Sequence, residues 1–355
     1  MFELSTARLR AYTGRVIELH ERRLPLIQAP MAGGPTTPEL VAAVSNGGGL
    51  GTLAGGYLSA AKLRDQLTAT RALTNEPFAV NLFAPEATPP DRAGAEQYRA
   101  RLLPLAKRLG VDLPAIAEAG DDDYAAKVDA LVAEPLSLVT FTFGLPSADD
   151  IERLRGVGSA IGITVASVAD AALALQLAPE ILLVQGPAGG GHRAMLDQSA
   201  APDTVPLEEL LARILPRARA AGARVVAAGG IAAPERARRL LDAGAAAASL
   251  GTAFLTVREA GTRPVHREAL LSGERETVLT RAFSGRMARG LRNRFIDEFD
   301  LVAPASYPLV HFLTKPIRDA SSDGPEYLNL WAGENYRSCR DETVAELLRR
   351  FGEGL

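Results

Sequence analysis

Cysteine is all but absent: Cys339 stands alone in 355 residues. One thiol excludes an internal disulfide, a cysteine-ligated zinc site and an iron–sulfur cluster, and it agrees with a reducing, cytoplasmic setting. Long apolar runs are missing too, so a membrane span of about 18 or more residues is not expected. The start, Met1-Phe2-Glu3-Leu4, leads towards Arg8, Arg10 and Glu18 rather than the apolar core of an export signal. Charge of one sign is scarce: the formal net charge is −3 and arginines are interspersed with acids. No basic face is therefore expected to gather nucleic-acid phosphates. Histidine is sparse as well, with four in the chain, and His20-Glu21 lacks the second histidine of a zincin helix. No metal is expected.

What is present is ordinary core material, 47% hydrophobic and 23% charged, enough to bury a large core without staples. Eight short apolar runs alternate with Ala/Leu/Arg-rich helical stretches, the pattern of a parallel sheet with crossover helices. The runs are Leu26 to Ala29, Leu50 to Leu53, Phe78 to Leu82, Leu136 to Phe141, Ala160 to Val165, Ile181 to Gln185, Arg224 to Ala228 and Ala246 to Leu250. Helices are expected at 38–45, 59–71, 147–154, 168–177, 207–221 and 234–243, several with cap signals such as Thr37 before Pro38. Eight such units favour a closed (β/α)8 barrel, which needs about 250 residues and leaves about 100 for additions. The expected organisation is a barrel over 1–255 with an insertion at 84–135, a segment of helices and loops over 256–335 covering the barrel mouth, and a C-terminal helix within 336–355 packing back on the barrel. Asp121-Asp122-Asp123 in the insertion reads as a solvated loop.

In such a barrel the active site lies where strands end and loops begin. The first run enters Gln28-Ala29-Pro30-Met31-Ala32-Gly33-Gly34, whose glycines let backbone approach a flat ligand. The third ends in Asn81, the fourth in Thr140-Phe141-Thr142-Phe143-Gly144 and the sixth in Gln185-Gly186. Asn and Gln both donate and accept, which suits the mixed edge of a heteroaromatic ring, although either can equally cap loop backbone. Gly229-Gly230-Ile231 after the seventh run and Gly251-Thr252 after the eighth occupy the place where barrels commonly hold a phosphate on bare amides. Gly47-Gly48-Gly49-Leu50-Gly51 follows a helix and precedes a strand, the reverse of a dinucleotide fingerprint. His192, within Gly189-Gly190-Gly191-His192-Arg193 beyond the sixth run, is the candidate to remove a carbon-bound proton or bind an anion; His266 reads as structural or exposed.

Gln28 to Leu53 (QAPMAGGPTTPELVAAVSNGGGLGTL) resembles the opening motif of class I nitronate monooxygenases, formerly called 2-nitropropane dioxygenases. Thr140 to Pro146, Gln185 to Ala194, and Ala227 to Ile231 with Gly251-Thr252 resemble three further motifs of that family in the same order, over about Leu24 to Gly333. The resemblance implies FMN, with Pro30, Met31, Ala32, Asn81 and Gln185 towards the ring and Gly190, Gly229, Gly230, Gly251 and Thr252 towards ribityl and phosphate. It makes His192 the catalytic residue, with Phe143, Arg193, Tyr307, His311 and Lys315 around the substrate. The chain departs from the family pattern at Ala188, Ala194 and His311. The implied reaction oxidises alkyl nitronates such as propionate 3-nitronate, or nitroalkanes, with O2 to a carbonyl compound and nitrite. His192 and either Lys315 or Arg193 would supply fixed positive charge. Alternatives are an NAD(P)H-dependent quinone or enoyl-thioester reductase on the same flavin barrel, and a flavin-binding module without turnover. The partners expected are the small substrate and O2, in a monomer or homodimer.

Overall fold

The computed structural model describes residues 22–116, 120–321 and 323–355; the N-terminal segment read above, with His20 and Glu21, lies outside them. Six parallel strands come first, β1 (Leu26–Gln28), β2 (Thr52–Ala54), β3 (Ala79–Phe83), β4 (Leu138–Thr142), β5 (Ala160–Val165) and β6 (Ile181–Gln185). A two-residue strand, β7 (Gly191–His192), interrupts the series before β8 (Arg224–Ala228) and β9 (Ala247–Leu250). The eight longer strands pair in parallel in the order β1-β9-β8-β6-β5-β4-β3-β2. A parallel bridge from Ile27 to Leu50, just before β2, brings the two ends of the sheet together. The result is a (β/α)8 barrel.

Side-chain alternation along each strand separates two cores. Ile27, Ala79, Leu138, Ile181, Leu183, Val226 and Ala247 form one buried cluster supplied by the strands themselves. Their neighbours Leu26, Val80, Val139, Leu182, Val225 and Ala248 join the helices in a larger cluster. The crossover helices start where the sequence signals them. Thr37 accepts from the Leu40 amide ahead of helix 38–46, and Ser147 from the Asp150 amide ahead of helix 148–156. Val344, Leu347, Leu348 and Phe351 of the last helix also enter the larger cluster.

A third cluster stands apart from the barrel. Tyr98, Leu102 and Leu105 from helix 92–109 pack with Phe283, Phe295, Phe299, Leu309, Val310, Leu313 and Ile317. The Phe283 and Phe295 rings stack at 4.5 Å, and each fully buried ring of this kind contributes about 1.5–3 kcal/mol of transfer free energy. Helix 92–109 of the insertion is thus bound to the segment over the barrel mouth, whereas helix 124–133 completes the barrel core through Val128 and Leu131.

Two sequence expectations need correction. The segment after β9 is not only helices and loops: β10 (Thr277–Thr280) and β11 (Ala288–Leu291) pair antiparallel, and β11 takes β7 as its other neighbour. The three β-branched residues of Thr277-Val278-Leu279-Thr280 carried that signal. The acidic run is not merely solvated. Asp122 accepts from the Tyr57 amide at 2.9 Å and pairs at 2.7 Å with Lys127, which is 1% exposed; Asp123 accepts from the Ala60 amide at 3.2 Å.

Candidate active site

A cavity of about 320 Å³ opens where the barrel strands end, within the usual range for a small-molecule site. Its lining divides by chemistry.

At one end the walls are main chain. Gly229 and Gly230, at the end of β8, have φ of 101° and 68°, a left-handed conformation that favours glycine. Gly190 lies against the Gly333 amide so tightly that a Cβ would come within 2.5 Å of that nitrogen. Gly251 is the opposite case. A Cβ there would meet nothing of the chain nearer than Ala29 Cβ at 3.7 Å, so the room beside this cavity-lining residue is room for a ligand. Thr252 Oγ1 accepts from the Gly333 amide at 3.0 Å and ties the covering segment to this end.

At the other end the walls are side chains, and His192 is their centre. Its backbone is stitched into the small sheet opposite Ala288, and Gln185 holds the loop from beneath. The Gln185 amide donates to the His192 carbonyl at 3.0 Å and accepts from the Ala194 amide at 2.9 Å. Both halves of the side chain therefore cap loop backbone, although Gln185 also lines the cavity. The imidazole Nε2 lies 2.9 Å from Ser284 Oγ, and Nδ1 meets no partner among the described residues. Burial, with the Arg286 and Arg318 charges nearby, lowers the His192 pKa to about 3. The ring is neutral at physiological pH, so it supplies no fixed positive charge and is not the near-neutral titrating group that a loop position suggests.

An aromatic wall continues from it. The His192 ring centroid is 5.7 Å from Phe143, 5.8 Å from Tyr307 and 5.3 Å from Trp331. The Tyr307 hydroxyl lies 3.2 Å from that of Tyr57, and the Tyr57 ring stacks on His311 at 4.0 Å with the planes 2° apart. Tyr57 and Phe143 both have positive φ, 65° and 80°, strain that the surrounding contacts must hold. For Tyr57 the holder is Asp122 at its amide. Arg286, 1% exposed, lies 4.1 Å over the Phe143 ring and pairs with Glu86 at 2.7 Å. Its guanidinium also donates to the Arg193 and Met195 carbonyls, fastening the loop that carries His192.

Asn81 shows how a strand end prepares a donor. Its carbonyl oxygen accepts from Thr140 and Thr142 hydroxyls, each at 2.9 Å, which leaves the amide nitrogen of this cavity-lining residue as its unused group among the described residues.

The structure brings Pro30, Met31, Ala32, Asn81, Phe143, Gln185, Gly190, His192, Gly229, Gly230, Gly251, Thr252 and His311 to one cavity lining. It does not bring Arg193, Tyr307 or Lys315 to that lining. Arg193 is buried with its guanidinium on the Gly186 carbonyl, Tyr307 stands behind Tyr57, and Lys315 is exposed and paired with Asp319. Sequence reasoning missed Tyr57, Arg318 and Asn329, which line it together with Ser284 and Trp331 of the covering segment. Tyr57 had a signal in Gly55-Gly56 after β2. Arg318 had one in helix periodicity: Leu309, Val310, Leu313, Thr314, Ile317 and Arg318 share the buried face, and Lys315 does not. His266, expected structural or exposed, is buried, and its Nε2 donates to the Trp331 carbonyl at 3.0 Å.

Comparison with known proteins bears on this architecture. The family described as nitronate monooxygenase matches residues 15–353. The chain belongs to the nitronate monooxygenase family. It is 35% identical to a probable nitronate monooxygenase of Bacillus subtilis (strain 168), over 92% of this chain and 94% of that one. Among solved structures, nitroalkane oxidase from Streptomyces ansochromogenes superposes with a TM-score of 0.89 at 38% identity, covering 94% of this chain and 96% of the other. FabK from Thermotoga maritima superposes with a TM-score of 0.73 at 24% identity, covering 96% of each, a likeness of fold. The chain is an oxidoreductase of this family, and among the described residues no helix is long and apolar enough to cross a membrane.

Proposed function

We propose that the chain is an FMN-dependent enzyme that oxidises alkyl nitronates with O2 to a carbonyl compound and nitrite. The observation that carries this reading is His192, with Ser284 at its ring and Gln185 on its backbone carbonyl, at the side-chain end of a cavity whose opposite end is bare glycine backbone.

The residues present fit the cofactor. Gly229, Gly230, Gly251 and Thr252 would hold its phosphate on amides and a hydroxyl, the unobstructed space beside Gly251 would receive it, and Asn81 would offer its amide nitrogen to the ring. FMN bound there would supply the electron-accepting ring that the side chains lack.

The protein's own part is positioning and hydrogen bonding. An imidazole whose pKa is lowered to about 3 is poorly matched to taking an α-proton from a neutral nitroalkane. It is better suited to a substrate that arrives as an anion. In the tautomer that carries its proton on Nδ1, the Ser284 hydroxyl turns from the Arg286 carbonyl to donate to Nε2, and the ring proton is available to a nitronate oxygen. Phe143, Tyr57 and Trp331 keep that encounter away from water.

The test is to purify the protein, extract any yellow chromophore, and follow nitrite release and O2 uptake on a panel of nitronates and on the parent nitroalkanes. Nitronates should be oxidised faster than nitroalkanes, without NADH. Rapid anaerobic bleaching by NADH, with no nitrite from any nitronate, would support a reductase instead.

A further inference from the structure

We infer that the buried Glu86–Arg286 pair is a positioning device for His192: it clamps the loop that carries the imidazole and sets the electrostatic field in which that ring works. Its kinetic part rests on the nitronate reading above.

Arg286, 1% exposed, reaches segments that the chain keeps far apart. From the insertion, Glu86 pairs with it at 2.7 Å. From the loop after β7, the Arg193 and Met195 carbonyls accept from its guanidinium, the first at 3.3 Å. From the turn after β4, Phe143 presents its ring face at 4.1 Å, and the same ring meets His192 at 5.7 Å with the planes 81° apart. The Arg286 amide donates to Ser284 Oγ at 3.3 Å, and that oxygen lies 2.9 Å from His192 Nε2. Arg286 therefore acts on the loop that carries His192, on an aromatic neighbour of its ring and on the hydroxyl at its nitrogen. A buried ion pair adds little net stability over apolar side chains of the same volume. What this one adds is geometry, since a planar fork of donors fixes two carbonyls of one loop in a way that lysine cannot.

Charge is the second contribution. A fixed cation nearby disfavours imidazolium, and after burial itself the groups that act so on His192 are Arg286 and Arg318. The other titratable groups facing the ring, His311 and Tyr307, are uncharged at neutral pH. Around Arg286 stand Glu86, Tyr57 and Tyr307, and Asp170 and Asp197 interact with it through space. Glu86 is the one carboxylate in contact with the guanidinium among the described residues, so it offsets part of the cation's effect on His192. Removing either partner breaks the same contact, yet the two losses push His192 in opposite directions. Protonation becomes easier without the cation and harder without the carboxylate. A purely structural role would move both the same way.

The test uses the FMN-loaded enzyme with Arg286→Gln, Arg286→Lys and Glu86→Gln. His192 is followed by NMR of Cε1-labelled histidine from about pH 8 to about pH 4, its signal identified by its loss in His192→Asn. The ring should stay neutral over that range in the unmodified chain, in Glu86→Gln and in Arg286→Lys, and should take up its proton within it in Arg286→Gln. On a simple alkyl nitronate, Arg286→Gln should lower kcat about 10–100-fold with little change in KM or FMN content, and Arg286→Lys, which keeps the charge but not the fork, should recover part of that loss. If Arg286→Gln does not fold, the double variant Glu86→Gln/Arg286→Met leaves no unpaired ion and takes its place with the same expectations. Proton uptake by His192 in Glu86→Gln, a ring that stays neutral when the cation is removed, or full kcat without Arg286 would overturn the proposal. If no nitronate yields nitrite even in the unmodified chain, the nitronate reading falls, and the histidine titration alone still decides whether the pair governs His192.

Discussion

The two ends of the cavity are made of different material. The end formed by β8, β9 and the Gly190 turn is backbone, and its shape follows from where glycine stands. The His192 end is made of side chains carried by β7, the turns after β2 and β4 and the covering segment, with Asp122 of the insertion bracing Tyr57, so it exists only once distant segments have met. The first can hold a phosphate and the second can select and orient a substrate. A single substitution should therefore damage one end and spare the other.

The sharpest break is at Gly251. Valine there finds open space in the chain but fills the room that a phosphate would use, so FMN affinity should fall by about 100-fold, or nearly 3 kcal/mol, with the fold intact. Fluorescence titration of apoprotein with FMN, beside a thermal melt, checks both parts. Unchanged affinity would mean that the phosphate lies elsewhere.

A second test sets the insertion against the His192 end. Asp122→Ala removes the acceptor at the Tyr57 amide and leaves Lys127 buried without its carboxylate. Because Asp122 is partly exposed, the expected cost is about 2–3 kcal/mol, below the range for a fully buried pair. Denaturant unfolding should show it, accompanied by a raised KM and little change in FMN affinity.

Acid should also act unevenly. His192 and His266 have pKa values lowered to about 3 and about 4, and burial holds His311 well below its ordinary value too. In each case the unfolded chain binds the proton more readily, near pH 6.5. The stability from keeping these rings neutral is full above about pH 6.5 and is lost as pH falls towards the folded values. Urea unfolding at pH 7 and pH 5 should differ by on the order of 2 kcal/mol for each of these rings, with the lower stability at pH 5.

Lys315→Met is the smallest test. Lys315 is exposed and paired with Asp319 on the outer face of its helix, so the change in kcat/KM should stay within about twofold. A larger loss would show that this lysine reaches the substrate after all.

The same division explains what could be read from the sequence. Strand periodicity and caps are local, so all eight barrel strands and six crossover helices were legible, with shifts of at most two residues at their ends, whereas helix 124–133 inside the insertion was not. Gly229, Gly230 and Gly251 were legible because backbone conformation and close approach restrict the residue type. The His192 end was only half legible. Gln185 could be read as a ring contact or a loop cap, and the fold uses it as a cap while leaving it at the cavity wall. Tyr57 depends on Asp122, 65 residues away, and the β7–β11 pairing joins segments that no local pattern connects. Lys315 and Arg318 look equally basic in sequence; the helix face on which each stands separates them.

Replacement of His192 by alanine tests the central claim most directly, with bound FMN and nitrite release from a simple alkyl nitronate measured on the same sample. Loss of one hydrogen-bond donor at the reacting group should lower kcat about 10²–10³-fold while the flavin stays bound with unchanged stoichiometry. Full nitrite release from a flavin-loaded His192→Ala protein would contradict the assignment of the chemistry to the side-chain end of the cavity.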